Sequence, residues 1–202
     1  MRPRILVTGY EPFGGEPVNP SEQLVRALAA APPDGLALAT AVLPVDAAAL
    51  PGALQATLTT ARPHVVVALG QAAGRAQVDL ERTARHAPNL ASAAEPAGLP
   101  ADNRCRHAGA PEHLRSNLPL HRLQRRLADA GLPVALSDDA GLYLCNALLY
   151  ELHWRHPGLA SVFVHLPALP SQAARRGRNE PSLTPDVTEA CLRALLHELA
   201  RS

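Results

Sequence analysis

The 202-residue chain contains no lysine; all nineteen of its basic residues are arginine. That excludes a Schiff-base nucleophile, lysine-dependent cofactor attachment and the lysine of a phosphate-binding loop. Cysteine is scarce as well, with Cys105, Cys145 and Cys191 far apart in the chain. Three distant thiols make neither a disulfide framework nor a zinc site of paired cysteines. No apolar run approaches the ~20 residues needed to span a bilayer. Residues 4–9, Arg-Ile-Leu-Val-Thr-Gly, read as a buried strand and not as a signal peptide. The expected compartment is therefore the cytoplasm, where free thiols persist. A net charge of +1 gives no reason to expect nucleic acid or a membrane as partner. Several familiar motifs are missing too. There is no Gly-x-Ser-x-Gly elbow and no His-Glu-x-x-His, residues 9–15 lack the ending of a phosphate loop, and the glycines of residues 70–74 are wrongly spaced for a dinucleotide fingerprint.

What is present is an ordinary globular composition, 47% apolar, at a length that fits one domain over residues 1–202. Residues 5–8 read as a strand. A helix is expected after it, with Asn19 as N-cap, Pro20 in the first turn and Glu22 closing a capping box. Residues 36–45 form a second strand, and Asp46 is expected to cap a helix to about Ala61, disturbed by Pro51. Val65 to Leu69 is an apolar run of the kind covered on both faces. Short strands are expected at 77–82, 134–136 and 161–165, and helices at 119–130, 145–154 and from Pro185 to about Ala200. Residues 84–112 have no usable periodicity and read as an irregular loop region. Strands alternating with helices point to an α/β fold: a single domain with a mostly parallel twisted sheet and helices on both faces.

Three residues carry chemistry. Cys145 follows Ala140-Gly141 at the start of an apolar-faced helix, where unpaired N–H groups and the positive helix end favour a thiolate. Placement alone favours the bland reading, a small buried core residue. His165 ends a strand, at the edge where open α/β sheets gather ligands, and reads either as a base or as a structural histidine. Glu81 could pair with Arg82 or with Arg85. The remaining histidines are scattered over polar segments.

Taken in order, several stretches resemble the cysteine-type pyroglutamyl peptidases. They are Ile5-Leu6-Val7-Thr8-Gly9, Pro12-Phe13-Gly14-Gly15 with Asn19-Pro20-Ser21, Leu43-Pro44-Val45, and Leu69-Gly70-Gln71-Ala72 with Gly74-Arg75. Leu80-Glu81-Arg82, Leu118-Pro119, Ser137 with Ala140-Gly141, Cys145-Asn146, and Val164-His165-Leu166-Pro167 with Pro170 and Gln172 complete the series. The resemblance implies a Cys145–His165–Glu81 triad cutting N-terminal pyroglutamate from peptides through an acyl-enzyme, without metal or cofactor. It also implies a ring pocket formed by Phe13, Tyr10, Val45 and Tyr143, polar contacts from Gln71 and Asn19, and a homo-oligomer.

The chain departs from the family pattern after Glu81-Arg82. Thr83-Ala84-Arg85-His86 and residues 87–99 replace the usual Val-Ala-Ile-Asn and Arg-Ile-Pro-Asp-Asn, so Ala91 and Ser92 stand where an Arg and an Ile are expected. Arg82, Arg85 and Arg104 are the cations that could take over, Arg85 first because it directly follows the Glu81 segment. Asp138-Asp139 replaces the usual Asn-Thr. A related cysteine hydrolase with shifted specificity, or a weakly catalytic binding relative, are the competing readings.

Overall fold

The computed structural model describes residues 3–86, 107, 109–141, 143–177 and 179–201. Its strands are β1 (Arg4–Tyr10), β2 (Ala37–Leu43), β3 (Val65–Gln71), β4 (Val78–Glu81), β5 (Thr83–Arg85), β6 (His113–Arg115), β7 (Val134–Ser137) and β8 (Ala160–Leu166). Its helices are α1 (Pro20–Ala30), α2 (Leu50–Ala61), α3 (Leu120–Asp129), α4 (Leu144–Arg155), α5 (Pro170–Arg176) and α6 (Pro185–Ala200).

Local chemistry sets most of the boundaries. Asn19 has extended backbone angles and its side chain accepts from the Ser21 N–H at 3.0 Å, so α1 starts at Pro20. Glu22 does not close a capping box; it is ion-paired with Arg26 at 2.7 Å, the neighbour one helical turn on. Asp46 does hold backbone N–H groups, those of Ala48 and Ala49, but in a turn ahead of the helix. Pro51 would clash with the carbonyl four residues earlier, so it is tolerated only in the first turn and α2 begins at Leu50. The region read as irregular overlaps β5, which pairs antiparallel with β6 just beyond its far end. Strands of three residues are too short to show a period.

The main sheet has the order β2-β1-β3-β8-β4-β7. All its pairings are parallel except β4 with β8, which run antiparallel with Asp79 opposite His165. The expected mostly parallel sheet is present, with β4 and the edge strand β7 both running against the other four. Side chains alternate between the two faces. Ile5, Val7, Val65, Val67, Val78, Leu80, Val162 and Val164 pack under α1, α3 and α6. Leu6, Val66, Ala68 and Phe163 pack under α2 and α4. By the same alternation Gly70, Asp79, Glu81 and His165 belong to the second face, beneath α4. Three ionisable residues thus sit in a layer otherwise built of Leu, Val, Ala, Tyr and Phe.

Candidate active site

Cys145 occupies the first turn of α4. A helix leaves its first N–H groups without intrahelical partners, and the N-cap residue, Tyr143, makes no side-chain capping bond. The thiol is half-buried and lines a cavity of about 540 Å³ together with His165, Tyr10, Phe13, Val45, Gln71 and Tyr143. Gly70 makes the approach possible. A Cβ placed there would lie 2.7 Å from Phe163 Cζ and 3.1 Å from Cys145 Sγ, so only glycine lets β3 run this close to the sulfur.

His165 is 4% exposed and its Nδ1 lies 2.7 Å from Glu81 Oε1. Burial alone would pull the imidazole pKa down. The charge and hydrogen bond of Cys145, joined by those of Glu81, override it and raise the value to about 9. The imidazole is therefore charged at neutral pH. Glu81 is wholly buried, and its Oε1 also faces Arg75 Nη2 at 3.3 Å. Arg75 in turn pairs with Asp79 and donates to the Asp139 carbonyl at 2.7 Å. A buried carboxylate is tolerable only with such compensation.

Tyr10 donates its hydroxyl to the Leu144 carbonyl at 3.1 Å. Burial first, then the neighbouring Cys145 charge, push its phenol well above the ordinary value, so it stays protonated. Its ring lies 6.5 Å from that of Phe163, which is 4.9 Å from the His165 ring. Only six aromatic residues exist in the chain. Tyr10, Phe13 and Tyr143 line this cavity and Phe163 backs it, so the scarce aromatics are concentrated here.

These features match a known family along almost the whole chain: a family model described as pyroglutamyl peptidase aligns with residues 3–201. The chain belongs to the pyroglutamyl peptidase family. A pyrrolidone-carboxylate peptidase of Ralstonia nicotianae is 37% identical over 98% of this chain and 94% of its own length. One from Pyrococcus furiosus is 34% identical over 84% of this chain and 83% of its own. Among solved structures, the pyrrolidone carboxyl peptidase of Fervidobacterium islandicum superposes with a TM-score of 0.88 at 29% identity, covering 99% of both chains. That of Thermus thermophilus gives 0.82 at 36% identity, over 95% of this chain and 98% of that one.

Within this family framework, the structure brings Cys145, His165 and Glu81 together, and Phe13, Tyr10, Val45, Tyr143 and Gln71 onto one cavity. Asn19 is elsewhere. It does not line the cavity, because its amide is engaged by the Glu11 carbonyl, the Ser21 N–H and the Ser21 hydroxyl. Its work is to fix the loop that carries Phe13. Glu81 pairs with neither Arg82 nor Arg85. Arg82 pairs with Asp138, while Arg85 faces the Asp138 carbonyl at 3.5 Å and the Asp139 carboxylate at 3.8 Å, outside the cavity lining. Asp138 thus has a counter-charge. Its burial, which would raise the pKa, is outweighed by Thr83 and Arg82, and the carboxyl is held low. Ala91, Ser92, Arg104, Cys105 and the whole of residues 87–99 lie outside the described residues.

Sequence reasoning missed Arg75, whose only signal was its place in the Gly74-Arg75 pair. It also missed Arg176 and Glu180, ion-paired at 3.0 Å on the cavity wall. His153 is a further buried histidine, pushed by burial to about 4. Cys191 is buried in the opposite layer, and burial lifts its thiol to about 11. Among the described residues no group of three or more His, Cys, Asp or Glu could hold a metal ion, and no helix is long and apolar enough to cross a membrane.

Proposed function

We propose that this chain is a cysteine peptidase that removes an N-terminal pyroglutamyl residue from peptides, with Cys145 as nucleophile, His165 as acid and base, and Glu81 orienting His165. The observation that carries the reading is the convergence of Cys145 and His165 on one largely apolar cavity, with Glu81 Oε1 2.7 Å from the far imidazole nitrogen. The attacking species in this chemistry is the thiolate.

The thiolate attacks the carbonyl that joins pyroglutamate to the next residue. The negative charge that develops on the carbonyl oxygen meets the N–H groups at the start of α4, beginning with that of Cys145. The tetrahedral intermediate collapses as His165 passes its proton to the leaving amine, giving a thioester. Neutral His165 then takes a proton from water, which attacks the thioester and releases pyroglutamate and the thiolate. Glu81 accepts from Nδ1–H throughout, leaving the other nitrogen for the reaction.

The pocket favours a neutral lactam. Phe13, Tyr10, Val45 and Tyr143 supply its apolar walls, and Gln71 a polar contact. A free N-terminal amine would bring a charge into these walls without a partner. The test compares fluorogenic pyroglutamyl, prolyl and alanyl amides. Pyroglutamyl amide should be cut ahead of the others, by up to ~10⁴ where a site is built around a hydrogen bond that the rival substrate lacks. Equal rates on all three would sink the reading.

A further inference from the structure

Gln172, in the first turn of α5, is fully buried and does not line the cavity. Its amide nevertheless decides what the cavity presents. Oε1 accepts from the Leu169 N–H at 2.9 Å, and Nε2 donates to the Val18 carbonyl at 3.2 Å. A backbone N–H can only donate and a carbonyl can only accept, so these two partners fix which end of the Gln172 amide is oxygen. The other two contacts go to Gln71, the last residue of β3. Gln71 Nε2 donates to Gln172 Oε1 at 2.9 Å, and Gln172 Nε2 donates to Gln71 Oε1 at 3.3 Å. The two amides form a cyclic pair, and the polarity of the buried one is copied onto the one that faces the cavity.

A carboxamide has two N–H donors and room for two acceptor contacts on its oxygen. The cyclic pair takes one of each from Gln71. The remaining N–H and the remaining lone pair point away from opposite ends of the amide, and a five-membered ring can reach one of them at a time. We infer that Gln172 is a positioning residue for ring recognition: it holds Gln71 in one polarity and limits it to a single hydrogen bond to a neutral lactam. This rests on Gln71 contacting the pyroglutamyl ring, as proposed above. Through Val18 the same amide also ties the segment following Phe13 to α5, so three walls of the pocket share one buried group.

The test uses two ligands without a scissile bond, measured as competitive inhibitors of pyroglutamyl amide cleavage. Pyroglutaminol carries the lactam; cyclopentylmethanol has the same ring without its N–H and carbonyl. In Gln172→Met the Ki of pyroglutaminol should rise roughly threefold to tenfold, the worth of one hydrogen bond. The Ki of cyclopentylmethanol and the rate of Cys145 alkylation by iodoacetamide should each stay within about twofold, since neither depends on amide polarity. A merely structural role would weaken both ligands together. Gln172→Leu is a second apolar variant that removes the same four contacts, and it should show the same selective loss. If neither folded variant changes the ratio of the two Ki values, or both ligands weaken equally, the inference is overturned. Gln71→Leu runs in parallel. An unchanged ratio there removes the underlying contact as well, whereas a collapsed ratio there with an intact one in the Gln172 variants rejects only the positioning role.

Discussion

Adding one methyl group at Gly70 tests how tightly β3, Phe163 and the Cys145 sulfur are packed. The Cβ of Gly70→Ala would sit 2.7 and 3.0 Å from two atoms of the Phe163 ring and 3.1 Å from Cys145 Sγ. Ordinary carbon contacts are about 3.5–4.0 Å, so the ring must retreat by roughly 1 Å. It has nowhere simple to go, being fully buried against Tyr10 on one side and His165 on the other. Forcing an extra methyl into such packing costs about 1–3 kcal/mol. For a chain of this size that lowers Tm by roughly 2–12 °C, at about 2–4 °C per kcal/mol. The sulfur contact adds a second effect. Pushing the sulfur proposed as nucleophile off line by about 1 Å is enough to lose roughly 10² in turnover. Thermal unfolding and kcat on pyroglutamyl amide would be measured together. A Phe163→Leu background should recover part of the lost stability, because it removes the ring atoms, yet leave the sulfur contact in place. Gly70→Ala with Tm within about 1 °C of the parent and kcat within about twofold would refute the close-packing argument.

Cys145→Ala should abolish cleavage, whereas Cys191→Ala, in the opposite core layer, should leave turnover per folded molecule unchanged; cleavage by Cys145→Ala would overturn the nucleophile assignment. Activity at low substrate should fall on the alkaline side as His165 loses its proton near pH 9, and Glu81→Gln should move that limb to lower pH, because the lost carboxylate favoured the charged imidazole. An unshifted pH profile in that variant would remove Glu81 from the site. The sign for stability is the same: a pKa raised above the unfolded value of about 6.5 stabilises most below that pH, and the contribution fades as pH rises toward 9. Arg75→Met should lower kcat at least tenfold by leaving Glu81 and Asp79 buried without their cation, while Arg85→Ala, outside the cavity lining, should change kcat by less than about twofold.

Much of this arrangement could be read from the sequence, and the failures share a cause. Asn19-Pro20, Pro185-Asp186 and the run from Val65 to Leu69 announced their elements because caps and continuous apolar strands are local signals. The motifs taken in order led to the expectation that Cys145 and His165 share a site, and the two line one cavity. The reversal of β4 was not legible, because alternation along a strand carries no information about its direction. α5 escaped notice because seven residues show too little periodicity, and Gln172 was visible only as a member of the motif series, without a role. Arg75 had a place in the Gly74-Arg75 motif but no role, since its partners Glu81 and Asp139 meet it only in the folded sheet. Asn19 shows the same limit from the other side. One residue supported both a cap and a pocket contact, and only the tertiary structure decides where its amide points.

The reversed strand β4 has a consequence for how activity is acquired during folding. His165 and Cys145 are near neighbours in the chain, but Glu81 lies 84 residues from His165. Their hydrogen bond exists only after β4 has docked against β8 in its antiparallel register, a closure that spans β5, β6, α3, β7 and α4. Contacts between such distant segments form late because the loop entropy must be overcome first. A chain with the β1–β3 half of its sheet in place but β4 undocked would carry the thiol without the His165–Glu81 hydrogen bond on which the proposed mechanism rests. Recovery of fast thiol labelling during refolding should therefore lag the recovery of helix and of the β1–β3 core, so that the peptidase chemistry switches on at the close of folding.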